Sequence, residues 1–209
     1  ISSDTTSVSS ISCNFATLDI RLFFEGFYQG NQVMNSVADP LFQPMVCDTV
    51  RVSLAESISP NFIVAEVQGV IGIDGRGEFL FPSFVSGNSY YLVIQHRNSL
   101  ETWSSIPVSF AGGIANYDFT TGVAQAYGNN LSDHNGTFCI YSGDVSNGTT
   151  SGQQDGIIES SDYAEVENSV QQFLSGYLVD DLTGDGIVES ADYALVENNG
   201  QIFLSVMRP

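Results

Sequence analysis

The chain has 209 residues, 43% of them hydrophobic, which allows one or two domains with cores of their own. Its 24 acids face five arginines and no lysine, for a net charge of −19. That balance argues against nucleic acid and against anionic membranes, both of which select basic surfaces.

No apolar run reaches the roughly 18 residues of a spanning helix, so membrane insertion is not expected. The chain begins at Ile1 rather than Met, and the expectation is a processed, secreted protein, extracellular or on a cell surface.

Residues 1–16 form the first region. Residues 1–12 are rich in Ser and Thr, the composition of a linker. With Ile1, Val8 and Ile11 spaced among hydroxyl β-formers, the tail could also lie as a strand along a neighbour's sheet edge. A head-to-tail contact of that kind builds open filaments when it does not close. The alternative is a tail folded back on its own domain.

Residues 17–140 read as strands. Leu18, Ile20, Leu22 and Phe24 alternate, as do Val50, Val52 and Leu54. Val70-Ile-Gly-Ile and Glu78-Phe-Leu-Phe flank Asp74-Gly-Arg-Gly, a hairpin signal. Tyr90 to His96 and Asn116-Tyr-Asp-Phe add strands. The spacing predicts an antiparallel β-sandwich of immunoglobulin or transthyretin type.

Cys13, Cys47 and Cys139 allow one disulfide and a leftover thiol, or three packed thiols, with no pairing singled out. His96 and His134 are the only histidines, and no known catalytic motif surrounds them. Cys139 reads as structural rather than as a partner of His134. Trp103, Tyr90, Tyr91 and His96 form either a sugar platform or core aromatics. Asn130, Asn135 and Asn147 head Asn-x-Ser/Thr sequons, candidate glycosylation sites.

Residues 141–209 hold half of the acids and only one base, Arg208. They also contain a repeat. The 21 residues from Asp155 to Ser175 match those from Asp185 to Ser205 at 15 positions. Counted from Asp181, a twelve-residue loop offers Asp181, Thr183, Asp185, the Ile187 carbonyl, Glu189 and Asp192 at positions 1, 3, 5, 7, 9 and 12, with Gly186 at position 6. Calcium takes oxygens at that spacing. The side chain of Ile187 is then free to pack inward. In the first copy Asp155, Ile157, Glu159 and Asp162 fall on positions 5, 7, 9 and 12. Positions 1 and 3 are Ser151 and Gln153, or better Asp144 and Ser146 with seven residues looped out. Two calcium ions are therefore expected. Each loop leads into a helix, with Tyr163, Val166, Val170 and Phe173 as one stripe and Tyr193, Val196 and Phe203 as the other.

An Asp at position 12, the Gly-Ile-Val run and Ser190 at position 10 resemble the type I dockerin repeat, an EF-hand-like calcium loop followed by one helix. Tyr90-Tyr91-Leu-Val-Ile-Gln-His-Arg-Asn-Ser-Leu-Glu-Thr-Trp-Ser also looks like a module preceding such repeats in secreted bacterial surface proteins. The dockerin resemblance implies a cohesin-like partner contacted through helix-start hydroxyls. Ser160-Ser161 supply both and Ser190-Ala191 only one; Ser160 and Ser190 can instead cap their helices.

The expected function is a non-enzymatic, calcium-stabilised structural subunit that assembles with copies of itself into an extracellular fibre or surface layer. A dockerin-type adaptor for a cohesin-like scaffold and a carbohydrate-binding module that takes glycans are the alternatives.

Overall fold

The computed structural model of the chain describes residues 15–209. Its strands are β1 (Phe15–Arg21), β2 (Val46–Glu56), β3 (Ile63–Gly72), β4 (Arg76–Pro82), β5 (Ser89–His96), β6 (Ser99–Trp103), β7 (Val108–Ser109), β8 (Ile114–Asp118), β9 (Ser132–His134) and β10 (Thr137–Cys139). Two helices follow, α1 (Ser160–Gln171) and α2 (Ser190–Gln201).

Two sheets make a β-sandwich. The smaller is ordered β4-β1-β8 and the larger β3-β2-β5-β6, with β7 also pairing β5. β1 shows how the sequence dictates this. Ala16, Leu18 and Ile20 are buried while Phe15 and Asp19 face outward, the period-two pattern of a strand with one face on a core. Opposite it, Val50, Val52 and Leu54 of β2 and Leu92 and Ile94 of β5 fill the same core, joined by Phe79, Phe81, Phe110 and Phe119.

Two expectations for this region are corrected. The sandwich is not wholly antiparallel, because β1 and β8 run parallel. Most of the sandwich lies between them in sequence, ample chain for a crossover. The turn at Asp74-Gly75 exists, but β3 and β4 belong to different sheets. The turn carries the chain across the core rather than back along one sheet.

Cys47 and Cys139 are separate, reduced and buried. Burial pushes both thiols above their ordinary range, so they behave as small apolar residues. Cys13 and the proposed intersubunit strand of the tail lie outside the described residues.

Each helix starts from a glutamate. Glu159 and Glu189 are the N-caps, and Asp162 and Asp192 reach back to the cap amides. Ser160 and Ser190 are therefore the first helical residues, not caps. The helices pack against one another around Val166 and Val196, with Val145, Ile158, Leu182 and Val188. Leu100 of β6 belongs to this second core, so the sandwich contributes to it.

The helical stripe ends earlier than its spacing suggests. Phe173 and Phe203 are 89% and 87% exposed. Both take φ +55, in the left-handed region, which turns them off the helix before they can join the core.

Candidate functional site

The carboxylates of 141–209 gather in two loops, each held by its own backbone amides. In the second loop Asp181 is fully buried. Its Oδ1 accepts from the amides of Gly184 (2.8 Å) and Asp185 (3.2 Å), and its Oδ2 from Gly186 (3.0 Å). Asp192 accepts from Thr183 N and Glu189 N, both at 2.8 Å. Asp185 accepts from Ile187 N at 2.9 Å. Gly186 stands at φ +87, a conformation that a side chain would strain.

The first loop repeats the scheme across its insertion. Asp144 accepts from Asp155 N (3.3 Å) and Gly156 N (3.1 Å), the latter at φ +84. Asp162 accepts from Val145 N, Ser146 N and Glu159 N at 2.8–2.9 Å. Asp144 thus occupies the place that Asp181 holds in the other loop, and Ser146 that of Thr183.

Ile157 and Ile187 do not pack inward as expected; both are exposed, and Ile158 and Val188 are buried instead. The reason is strand-like backbone at this point. Ile157 bridges Ser205 and Ile187 bridges Ser175, and alternation along an extended chain sends the next side chain to the core. These bridges cross over. The segment after α2 pairs with the first loop and the segment after α1 with the second, so the two units form one body.

Among the described residues, no three Asp, Glu, His or Cys side chains converge as a metal-holding group. Even so, the donor set suits a hard cation, which takes oxygens from carboxylates, hydroxyls and carbonyls. Thr183 Oγ1, at position 3, is buried with no hydrogen-bond partner, and a buried hydroxyl without a partner is costly. Burial, then the charges of Asp162 and Asp155, raise the Asp144 carboxyl to about 7. Burial likewise raises Asp162 and Asp181.

A pH dependence follows for the metal-free protein. The folded pKa of Asp144 lies above the unfolded value of about 3.9, so between the two the folded state binds more protons. Metal-free stability therefore falls as pH rises toward 7. Calorimetry of protein stripped of metal should show a higher melting temperature at pH 6 than at pH 8. A flat or opposite trend would contradict the buried, cation-free charge cluster.

A second polar cluster, which sequence reasoning missed, joins the sandwich to the loops. Asp48 on β2 is completely buried. It receives His96 Nε2 (3.2 Å), Arg97 Nε (3.0 Å) and the Tyr177 hydroxyl (2.6 Å). Burial alone would raise its carboxyl. The hydrogen bond from His96, with the Arg97 charge and the Tyr177 hydroxyl, instead holds it well below the carboxylate range. His96 also meets Ser99 Oγ through Nδ1 at 3.0 Å, so serine, histidine and aspartate stand in a row. Ser99 is only 1% exposed, which denies it a substrate, and His96 is stacked on Phe24 at 3.9 Å between ring centroids. This row is an internal brace. Burial lowers the His96 pKa despite Asp48 beside it, and the Arg97 charge adds to the lowering.

The β5–β6 turn extends the brace to both loops. Asn98 Nδ2 donates to Asp181 O at 2.9 Å, and Asn98 O accepts from Gly143 N. Gln154 Nε2 bridges Ser99 O and Asp144 O. Elsewhere Glu25 of the sandwich accepts from Asn199 on α2 and from Ser132. A Cβ on Gly26 would collide with the Leu182 carbonyl, so that glycine lets the second loop press against the sandwich. The one legible signal was the polar run Gln95-His96-Arg97-Asn98-Ser99 after the apolar Leu92-Val93-Ile94 of β5.

The other predicted residues are scattered. Tyr90, Trp103 and His96 are buried, so they form no open sugar platform. Asn130 is buried and donates through Nδ2 to Ser205 O, Asn147 is half-buried, and Asn135 is exposed. Cys139 and His134 lie on adjacent strands of the β9–β10 hairpin, with the thiol fully buried.

No family model and no curated protein matches the chain. Among solved structures, the fold is similar to a chain in the crystal structure of an N-terminal interface mutant of a type II cohesin–X–dockerin complex from Acetivibrio cellulolyticus. The TM-score is 0.50 at 18% identity, covering 88% of this chain and 94% of that one. A C-terminal interface mutant of the type II complex gives 0.48 at 16% identity with the same coverage.

This corrects the dockerin recognition. A likeness over 88% of the chain cannot rest on residues 141–209 alone. Taken whole, the described residues form a β-sandwich followed by two α-helices, a fold that a dockerin repeat alone does not account for. The repeat specifies two local loops, whereas most of the chain is committed to the sandwich.

Proposed function

We propose that this chain is a non-catalytic, extracellular scaffold or adaptor module that works by binding another protein domain. The observation that carries this reading is the whole-chain β-sandwich likeness to a component of a cohesin–dockerin complex. A dockerin is accordingly the partner class to test. The surface fits a binding role: large apolar side chains such as Leu41, Phe42 and Ile58 stand almost fully exposed. No helix among the described residues is long and apolar enough to cross a membrane.

In this reading calcium braces the module. Asp181, Thr183, Asp185, the Ile187 carbonyl, Glu189 and Asp192 hold one ion. Asp144, Ser146, Asp155, the Ile157 carbonyl, Glu159 and Asp162 hold the other. The ions supply the positive charge that the buried carboxylates lack, and the brace through Asn98 and Gln154 passes that rigidity to the sandwich.

The test is titration calorimetry and light scattering of the purified chain, in calcium, with a panel of dockerin modules. A one-to-one complex of micromolar affinity or tighter is the expected outcome. A chain that binds none of them and grows into filaments overturns the proposal in favour of self-assembly through residues 1–16.

A further inference from the structure

A groove of about 570 Å³ runs from the larger sheet to the first loop and the brace, which line one end of it through Asp144, Asp155, His96, Arg97 and Gln154. Its floor is the outer face of the larger sheet. Gln68, Arg51 and Gln95 lie directly opposite one another on β3, β2 and β5, and residues opposed in this way share a face. Gln95 Nε2 continues the row to Glu101 Oε2 at 2.7 Å, and Arg208 closes it with a 2.9 Å ion pair to Glu101. The far rim is Tyr177, 52% exposed. Its hydroxyl is pinned to Asp48, and the Arg97 guanidinium lies 4.4 Å from its ring centroid, so the ring is presented at fixed orientation.

The lining selects a ligand class by elimination. Only Val50 and Val206 are aliphatic, which rules out a lipid or an apolar peptide. Three of the five arginines converge here, yet each already has a carboxylate: Arg51 has Glu66 at 3.8 Å, Arg97 has Asp48 and Arg208 has Glu101. No spare positive charge is left for an anion, and the chain's −19 repels one. A cation belongs at the Asp144–Asp155 end, which is the first loop already described, and the sheet end around Gln68, Arg51 and Gln95 has no unpaired carboxylate among its described lining residues. What remains is a neutral ligand rich in hydroxyl groups, which planar amide and guanidinium edges can bond in pairs while an aromatic ring covers its C–H face.

We propose that this groove binds a neutral oligosaccharide, with Gln68, Arg51 and Gln95 as the hydrogen-bonding row and Tyr177 as the stacking surface. The site is separate from Tyr90 and Trp103, which are buried elsewhere in the sandwich. It is also independent of the protein-binding role above.

The experiment is titration calorimetry of the full chain in calcium with cellohexaose, xylohexaose, mannohexaose and maltohexaose, and with trigalacturonate as the acidic control. One neutral hexasaccharide should bind at one site per chain, and trigalacturonate should not. The Arg51→Ala/Gln68→Ala double variant, changed at exposed positions, should weaken binding about tenfold, a loss of about 1.4 kcal/mol, with its melting temperature unchanged. Thr49→Ala, on the same strand face, is the second variant should the first prove unstable. The proposal is overturned if none of the neutral probes binds at millimolar concentration, if only the acidic sugar binds, or if both variants bind undiminished.

Discussion

Removing calcium should lower the melting temperature substantially. An ion held at 100 times its dissociation constant stabilises the folded state by about 2.7 kcal/mol, and two loops double that. For a chain of this size each kcal/mol moves the midpoint by about 2–4 °C, so excess chelator should cost on the order of 10–20 °C. Asp185→Ala localises the effect. Asp185 is exposed and holds only the Ile187 amide, so the variant should melt almost like the parent in chelator. In calcium it should lose the share of the shift that belongs to the second loop. Differential scanning calorimetry with and without calcium reads both, with magnesium as the control ion. Identical melts in calcium and in chelator would end the calcium reading, whatever the protein binds.

Arg97→Ala should be strongly destabilising, on the scale of losing a buried core phenylalanine. The Arg97 side chain is 13% exposed and the Asp48 carboxylate it pairs is not exposed at all. Deleting one partner of a buried pair leaves an uncompensated charge, at a cost of about 3–5 kcal/mol. Arg97 also donates to Leu178 O and lies over Tyr177, so the loss falls on the contact between sandwich and loops. Adding Asp48→Asn to the variant removes the stranded charge and should recover part of the stability. Urea denaturation of the parent, the single and the double variant measures this. A single variant as stable as the parent would show that the brace carries no load, and a double variant worse than the single would show that charge is not the reason.

The sandwich was legible wherever one face of a strand is buried, because alternation in Ala16, Leu18 and Ile20 is a local record of that face. The loop turns were legible for a related reason: carboxylates that gather the amides of their own loop, with a glycine at positive φ, sit at set intervals, as Asp181, Asp185, Gly186 and Asp192 do. The brace was far less visible. Asp48 and His96 are 48 positions apart, and Tyr177 is 129 from Asp48; nothing near any of them in the chain announces the others. The stripe through Phe173 misled because helical spacing says where a side chain would point, not where the helix stops.

The repeat illustrates the same limit. Its carboxylate spacing, helix starts and acidity are short-range properties, and two loop–helix units followed from adjacent residues alone. What the whole chain resembles was not contained in them. That was decided by the packing of β2, β5 and the β5–β6 turn against both loops, where Leu100 enters the helical core and Asn98 meets Asp181. Packing of this kind joins residues far apart in sequence through burial and hydrogen bonds that exist only once the backbone has closed. A local motif therefore describes its own segment, while the fold of the chain as a whole, a two-sheet β-sandwich with the loops packed on it, belongs to its long-range contacts.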